Sequence, residues 1–165
     1  MINLLPIFGL VAPPILYLVF FGVNSSAFSA IGLSGNNMLI GVGVITGIVW
    51  VWSAGYAKSA NKFFSKRDKS DFKKSFGAQS VSETAQLFIW LFVNTLFGTG
   101  NPFIAVAISL LIMYLGGNAL RLWLTSLAFD VDMKTAANGN KVNLIIETII
   151  YVPFTMMYLK MGGVL

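Results

Sequence analysis

The side chains that could do chemistry in this sequence are few, and they stand inside long apolar stretches. They are Glu83, Asn118, Arg121 and Glu147. Asn118 and Arg121 are three residues apart, so a helix would place them on one face. A charged group among apolar residues is costly unless it is paired or reaches water. We therefore predict a polar cluster in which Arg121 pairs with Glu147 or Glu83; the alternative is that each side chain reaches the aqueous boundary alone.

Two residue types that carry much of enzyme chemistry are missing from the sequence. It has no Cys, which excludes disulfides, thiolate catalysis and cysteine-bound metal clusters, and no His, the commonest general base and transition-metal ligand. No nucleophile–base pair is recognisable in the sequence either. We therefore expect no catalytic residue, no metal and no cofactor. Nothing resembles a nucleic-acid-binding module, so we expect no nucleic-acid partner.

The composition is typical of a membrane protein. Of the 165 residues, 56% are hydrophobic and 10% are charged, and the mean hydropathy is +0.78. Soluble domains have roughly 25% charged residues. A soluble fold of this size could not bury so much apolar surface, whereas a bilayer acts as a solvent for it. We predict an all-α integral membrane protein with a single membrane domain, residues 1–165.

Five apolar segments are long enough to cross a bilayer, and we predict a transmembrane helix in each. The segments are residues 2–23, 38–57, 81–97, 103–129 and 142–163. The first lacks a basic start and a cleavage site, so we expect it to be retained rather than removed as a signal peptide. Pro13, Pro14 and Pro153 lie near the centres of their segments, where proline kinks a helix or splits it into two halves.

Positive charge is concentrated in the loop Lys58–Lys74, which carries seven of the eleven basic residues. They are Lys58, Lys62, Lys66, Arg67, Lys69, Lys73 and Lys74. Because positive charge favours the cytoplasmic side, this loop places the N-terminus in the cytoplasm and the C-terminus outside. The lysines also recur at helical spacing, which would extend the second helix into the cytoplasm. Each basic residue attracts anionic lipid headgroups by about 1 kcal/mol, so we expect anionic lipid at this face.

The same orientation places the polar cluster near the cytoplasmic face. Glu83 opens the third segment and Arg121 lies near the end of the fourth. Glu147 lies about 8 Å into the fifth segment by helical rise. Together they would line a polar pocket that faces the cytoplasm. The run from Ser80 to Glu83 also matches a capping box, in which Ser80 caps the third helix and Glu83 reaches back to it.

Gly43 and Gly47 form a GxxxG pair in the second segment. Small residues one turn apart let another backbone approach closely, which is how helices associate in lipid. The pair predicts helix packing, either against another helix of the same chain or along a seam between subunits.

Residues 38–165 resemble the MAPEG family, small membrane enzymes of eicosanoid and glutathione metabolism. Four features carry the resemblance. A helix leads into a basic loop, and the run from Ser80 to Thr84 begins the next helix. A short turn, Gly98–Pro102, precedes a third helix, whose cytoplasmic end holds Asn118 and Arg121.

The resemblance implies a trimeric four-helix fold that often binds glutathione on the cytoplasmic side, between subunits. Glu83, Asn118 and Arg121 would then lie near such a site. The chain departs from the family at two positions, with Gly77 and Ser80 standing where the family has Arg and Asn. The Arg-Tyr pattern of the family's third helix is absent, and the first segment is extra.

Three functions are compatible with these patterns. The first is a non-catalytic subunit that packs within a larger hetero- or homo-oligomeric complex of a cytoplasmic or organellar inner membrane. The second is a small transporter or channel, in which Asn94 and the prolines would mark helix breaks. The third is a MAPEG-like trimeric enzyme or binding protein with a site on the cytoplasmic side. The expected partners are the bilayer, anionic lipid, and other membrane subunits or further copies of the chain.

Overall fold

The computed structural model describes residues 4–23, 34–65, 71–97, 104, 107–108, 111–142, 145–146 and 149. The three long helices are α1 (Leu5–Val23), α2 (Asn36–Ser65) and α3 (Phe72–Phe97). A π-helical segment, Met113–Gly117, runs directly into α4 (Asn118–Phe129), and α5 covers residues 133–142. No strand occurs in these ranges, so the all-α prediction is confirmed.

Within the described residues, two helices are long and apolar enough to cross a membrane. They are Leu5–Val23 and the Asn36–Ala60 part of α2, judged by length and composition. The predicted count of five spans and the predicted orientation of the termini stay predictions. Pro153 and the end of the fifth predicted segment lie outside the described residues.

The α1 helix is continuous through its two prolines, so it is not split into two halves. Pro13 has no N–H, and the carbonyl of Gly9, four residues earlier, therefore loses its partner within the helix. Two other helices supply donors instead. Ser80 Oγ of α3 donates to the Gly9 oxygen at 2.5 Å, and Trp50 Nε1 of α2 donates to the same oxygen at 3.2 Å. One carbonyl oxygen thus joins three helices.

The backbones of α1 and α3 touch at this junction. A Cβ atom added at Gly77 would lie 2.5 Å from the Leu5 carbonyl oxygen, and one added at Gly9 would lie 2.8 Å from the Gly77 Cα. Further along, the rings of Phe20 and Phe88 meet edge to face with centroids 5.9 Å apart. The two helices therefore run parallel, and glycine is required where they meet.

The other helices pack around α3, and most of their contacts are apolar. Tyr17, Phe21, Val42 and Val49 form a buried cluster between α1 and α2. A second cluster gathers the end of α2, the start of α3 and the end of α4. In it, Phe64 is fully buried and stacks on Phe129, with ring centroids 4.5 Å apart.

The basic stretch Lys58–Lys74 is helical over much of its length. The α2 helix continues to Ser65, as the spacing of the lysines predicted, and α3 begins at Phe72 rather than at residue 81. The physical reason is a stripe of buried residues at helical spacing among the lysines: Ala57, Ala60 and Phe64. Likewise, α5 begins at residue 133 rather than at 142.

The predicted capping box is wrong for the same reason. Ser80 lies in the third turn of α3 and not at its start, so it has no helix end to cap. The Ser80 hydroxyl donates to the Gly9 carbonyl instead, and the Glu83 carboxylate accepts from Gln79 and Arg121.

The start of α5 is capped by Asp132. The Thr135 backbone N–H donates to Asp132 Oδ1 and the Thr135 hydroxyl donates to Oδ2, both at 2.8 Å. These two hydrogen bonds, the backbone one first, hold the pKa of the Asp132 carboxyl below its ordinary value. Just before it, Asp130 ends α4 with φ 51°, in the left-handed region that Asp tolerates better than most residues.

We expect Gly77→Ala to destabilise the fold by about 1–3 kcal/mol, because the added methyl group forces α1 away from α3. Thermal or denaturant unfolding in detergent would measure the loss. Gly22→Ala is the matched control, since a Cβ there meets no heavy atom of the described residues within 4 Å. Equal stability of the two variants would contradict the close approach of α1 and α3.

We also expect the Asp132 carboxyl to titrate below the ordinary Asp value of about 3.9, as followed by carbon NMR. Because the pKa is lower in the folded state, the cap stabilises α5 above the unfolded pKa and loses that effect as pH falls through the folded pKa. Asp132→Asn keeps a capping side chain that does not titrate, so its α5 should show no such loss. A normal or raised Asp132 pKa would rule the cap out.

Candidate functional site

An ion pair between α3 and α4 lies at the centre of the candidate site. Arg121 Nη2 is 2.5 Å from Glu83 Oε1, and the two side chains are 1% and 8% exposed. Glu83 is one of the two partners that were predicted for Arg121 from the sequence. Two opposite charges removed from water together are costly to separate, because either one alone is then left buried and uncompensated.

Two amide side chains complete the cluster. Gln79 Nε2, one turn before Glu83 on α3, donates to the same Oε1 atom at 2.5 Å. Arg121 Nη1 points to Asn118 Oδ1, one turn earlier on α4, over a longer 3.4 Å. The carboxylate therefore accepts from both helices, which fixes α3 against α4 in position and in register.

The structure brings together three of the four predicted polar residues, namely Glu83, Asn118 and Arg121. Glu147 lies outside the described residues. Gln79 was missed, although it stands four residues before Glu83 and a helix would have placed the two on one face. The signal was lost because the third helix was predicted to begin after Gln79.

The α3 helix is polar and buried over several turns, on the side of this cluster and on the side of α1. Its buried polar residues are Ser75, Gln79, Ser80, Ser82, Glu83, Thr84 and Gln86. Ser80 is used in the junction with α1, and Thr84 Oγ1 donates to the Ser80 carbonyl at 2.6 Å. A helix that is polar on its buried side reverses the usual pattern of a water-soluble bundle.

The basic residues of the stretch Lys58–Lys74 lie apart from this cluster. Lys58 and Lys73 are exposed, and Lys74 Nζ is 3.9 Å from Asp71 Oδ2 near the start of α3. Outside the described part lie Lys66, Arg67 and Lys69, together with the side chain of Lys62. The described basic groups are therefore placed to meet solvent or lipid headgroups.

Gly47, one of the two predicted packing glycines of α2, lies beside an apolar cleft. No heavy atom of the described residues lies within 4 Å of a Cβ added at Gly43 or Gly47. Gly47 lines a cleft of 640 Å³ between α2 and α5, together with Val44, Ile48 and Val51. Within the described part of the chain, these glycines are not covered by another helix.

The two walls of the cleft are joined at its polar end by Tyr56 and Asn140. The buried Tyr56 hydroxyl donates to Asn140 Oδ1, and Asn140 Nδ2 donates to the Ala136 carbonyl at 2.7 Å. No role was predicted for Asn140 from the sequence. This contact holds α5 against α2.

Comparison with known proteins finds no matching family model, no similar curated protein and no similar solved structure. The MAPEG resemblance therefore stays a hypothesis drawn from residue patterns. At the two positions where the chain departs from that family, Gly77 and Ser80, it contacts Leu5 and Gly9 of α1. That helix is the segment with no counterpart in the resemblance.

We expect Arg121→Met to destabilise the protein by about 3–5 kcal/mol, because it leaves the Glu83 carboxylate buried without its charge partner. The double variant Glu83→Met/Arg121→Met should recover most of that loss, since two apolar side chains of similar length replace the pair. Unfolding transitions in detergent would report both effects.

The matched control is Lys74→Met, which removes an exposed ion pair with Asp71 and should cost less than about 1 kcal/mol. If Arg121→Met proved as stable as this control, the pair would not hold α3 to α4.

Proposed function

We propose that the chain is a non-catalytic integral membrane subunit whose α2 helix packs against a transmembrane helix of another protein in a larger complex. The proposal includes the five-span topology, with the N-terminus cytoplasmic, and a location in a cytoplasmic or organellar inner membrane.

The distribution of polarity supports placement in a bilayer. On α1, Ile7, Phe8 and Val19 are each more than half exposed, and α2 shows similar apolar side chains along its length. The charged pair Glu83–Arg121 is buried instead. A protein with an apolar surface and charged groups inside is unfavourable in water. In a bilayer, lipid solvates the apolar surface, and the charged groups are less costly when they are buried away from the lipid.

The proposal rests mainly on a face of α2 that contains several glycines and is not covered by any described residue. Gly43, Gly47 and Gly55 each leave room for a Cβ atom with no described heavy atom within 4 Å. Helices in lipid associate by close backbone approach and van der Waals packing rather than by hydrophobic burial. A cleft that is lined by helices and has glycine at its base is a surface that a second helix fits closely.

Charge favours a partner that differs from the chain itself. The connection between α2 and α3 lies in the stretch Lys58–Lys74, with seven basic and two acidic residues. A second copy inserted in the same orientation and packed on α2 would place two such stretches side by side, where they repel. A neutral or acidic partner segment, with anionic lipid headgroups around it, avoids that repulsion.

We expect the double variant Gly43→Leu/Gly47→Leu to lose its partner during purification from native membranes in a mild detergent. The wild-type chain should co-migrate with another membrane protein, and the variant should run as a smaller species. No described heavy atom lies within 4 Å of a Cβ atom at either glycine, so we expect the leucines to leave the fold intact, and the variant's own unfolding transition checks this.

The control is Gly22→Leu, at another glycine where no described heavy atom lies within 4 Å of a Cβ atom, but outside the α2 face; it should keep the partner. Wild-type protein that migrates alone, or a double variant that keeps its partner, would contradict the proposal. Flux through liposomes containing the isolated chain would favour the transporter alternative, and glutathione binding would favour the MAPEG-like alternative.

A further inference from the structure

Four residues of α3 form a single buried stripe at the interface with α4. Ser75, Gln79, Ser82 and Gln86 follow one another at spacings of four, three and four residues, which places them on one face of the helix. All four are at most 2% exposed. The stripe lies against α4, because Gln79 shares Glu83 with Arg121, and Gln86 packs on Gly117 just before α4.

Each residue of the stripe carries a buried polar atom that has no hydrogen-bond partner among the described residues. The atoms are Ser75 Oγ, Gln79 Oε1, Ser82 Oγ and Gln86 Nε2. Proteins seldom leave such groups unpartnered, because burial without a hydrogen bond loses their interaction with water. Four on one helix face therefore indicate a bound component that supplies the missing partners.

The chemistry of the stripe selects a small neutral ligand. It presents acceptors and donors in alternation: hydroxyls at Ser75 and Ser82, a carbonyl at Gln79 and an amide N–H at Gln86. The adjacent Glu83 carboxylate opposes an anion, and the adjacent Arg121 guanidinium opposes a cation. Water donates and accepts, carries no charge, and is the usual partner of buried polar groups.

We propose that a file of water molecules fills the α3–α4 interface from Ser75 to Gln86. The stripe spans about 16 Å at 1.5 Å per residue. It begins at Ser75, in the first turn of α3, and ends at Gln86, which packs so close to Gly117 that a Cβ atom there would lie 2.2 Å from Gln86 Cγ. Beyond Gln86, α3 continues with the apolar run from Leu87 to Trp90.

The water file is therefore enclosed, since its first residue, Ser75, is only 1% exposed. It passes the Glu83–Arg121 pair and stops where Gln86 meets the π-helical segment Met113–Gly117. Short π-helical stretches often occur at functional sites. The protein would thus hold buried water beside a buried carboxylate, separate from the assembly surface on α2.

Alanine substitutions at the two serines test the proposal by the sign of a stability change. If water is bound, Ser75→Ala or Ser82→Ala leaves a buried water short of a partner, and the Tm falls. If the stripe is dry, each substitution removes an unpartnered buried hydroxyl, and the Tm rises. The exposed Ser59→Ala on α2 is the control, because it reports the gain in helix propensity alone.

A fall in Tm below that of the Ser59→Ala control supports the water file. A rise overturns it, and so does an unchanged Tm, which would indicate that each hydroxyl bonds the carbonyl one turn back in its own helix.

Thiol exchange gives an independent readout, since the chain has no Cys. S75C and S82C each place one thiol in the stripe, and the infrared S–H band is followed after transfer of the full-length protein into D2O. Both thiols should convert to S–D within the mixing time. A78C is the matched control, because Ala78 is buried on the same helix in the apolar cluster with Leu124 and Ala128.

Slow exchange at residues 75 and 82, equal to that at 78, would overturn the proposal. If A78C does not fold, A57C replaces it, because Ala57 is also fully buried. Neither experiment depends on the partner of α2, so a failure here leaves the assembly proposal standing, and the reverse also holds.

Discussion

The packing of α1, α2 and α3 depends on hydrogen bonds to the carbonyl oxygen of Gly9. Pro13 removes the N–H that would have satisfied this oxygen within α1, and an unsatisfied carbonyl in an apolar environment is costly. Ser80 of α3 and Trp50 of α2 donate to it instead. A defect in one helix thereby becomes the contact that positions two others, and the prolines act as an assembly feature rather than a break.

This junction also determines which side of α3 faces α4. Gly77 lets α3 lie directly on α1, so the central helix turns one side to α1 and the opposite polar side to α4. There Glu83 meets Arg121, and Gln79 and Asn118 hold the two ends of the pair. The protein therefore uses its charged groups internally, while aliphatic side chains of α1 and α2 form the surface.

The sequence was sufficient for the coarse architecture and for part of the polar cluster. Composition predicts an all-helical chain, and the position of Arg121 in an apolar segment predicts an acidic partner, with Glu83 and Glu147 left as the two candidates. The starts of α3 and α5 were not predicted, because the turns before residues 81 and 142 interrupt the apolar pattern with polar residues such as Ser80 and Asn140, whose partners lie far away in the sequence. The capping box at Ser80 failed for a related reason: its residues fit a local rule, but long-range contacts with Gly9 and Arg121 use the same side chains.

The length of α2 has a mechanical consequence. At 30 residues it measures about 45 Å, against a hydrocarbon core of about 30 Å. Its far end is held by Phe64, which stacks on Phe129 at the end of α4. A continuous helix transmits tilt along its length, so α2 acts as a lever between its glycine face and α4. Any change in the angle of α2 at that face must reach the helix that carries Arg121.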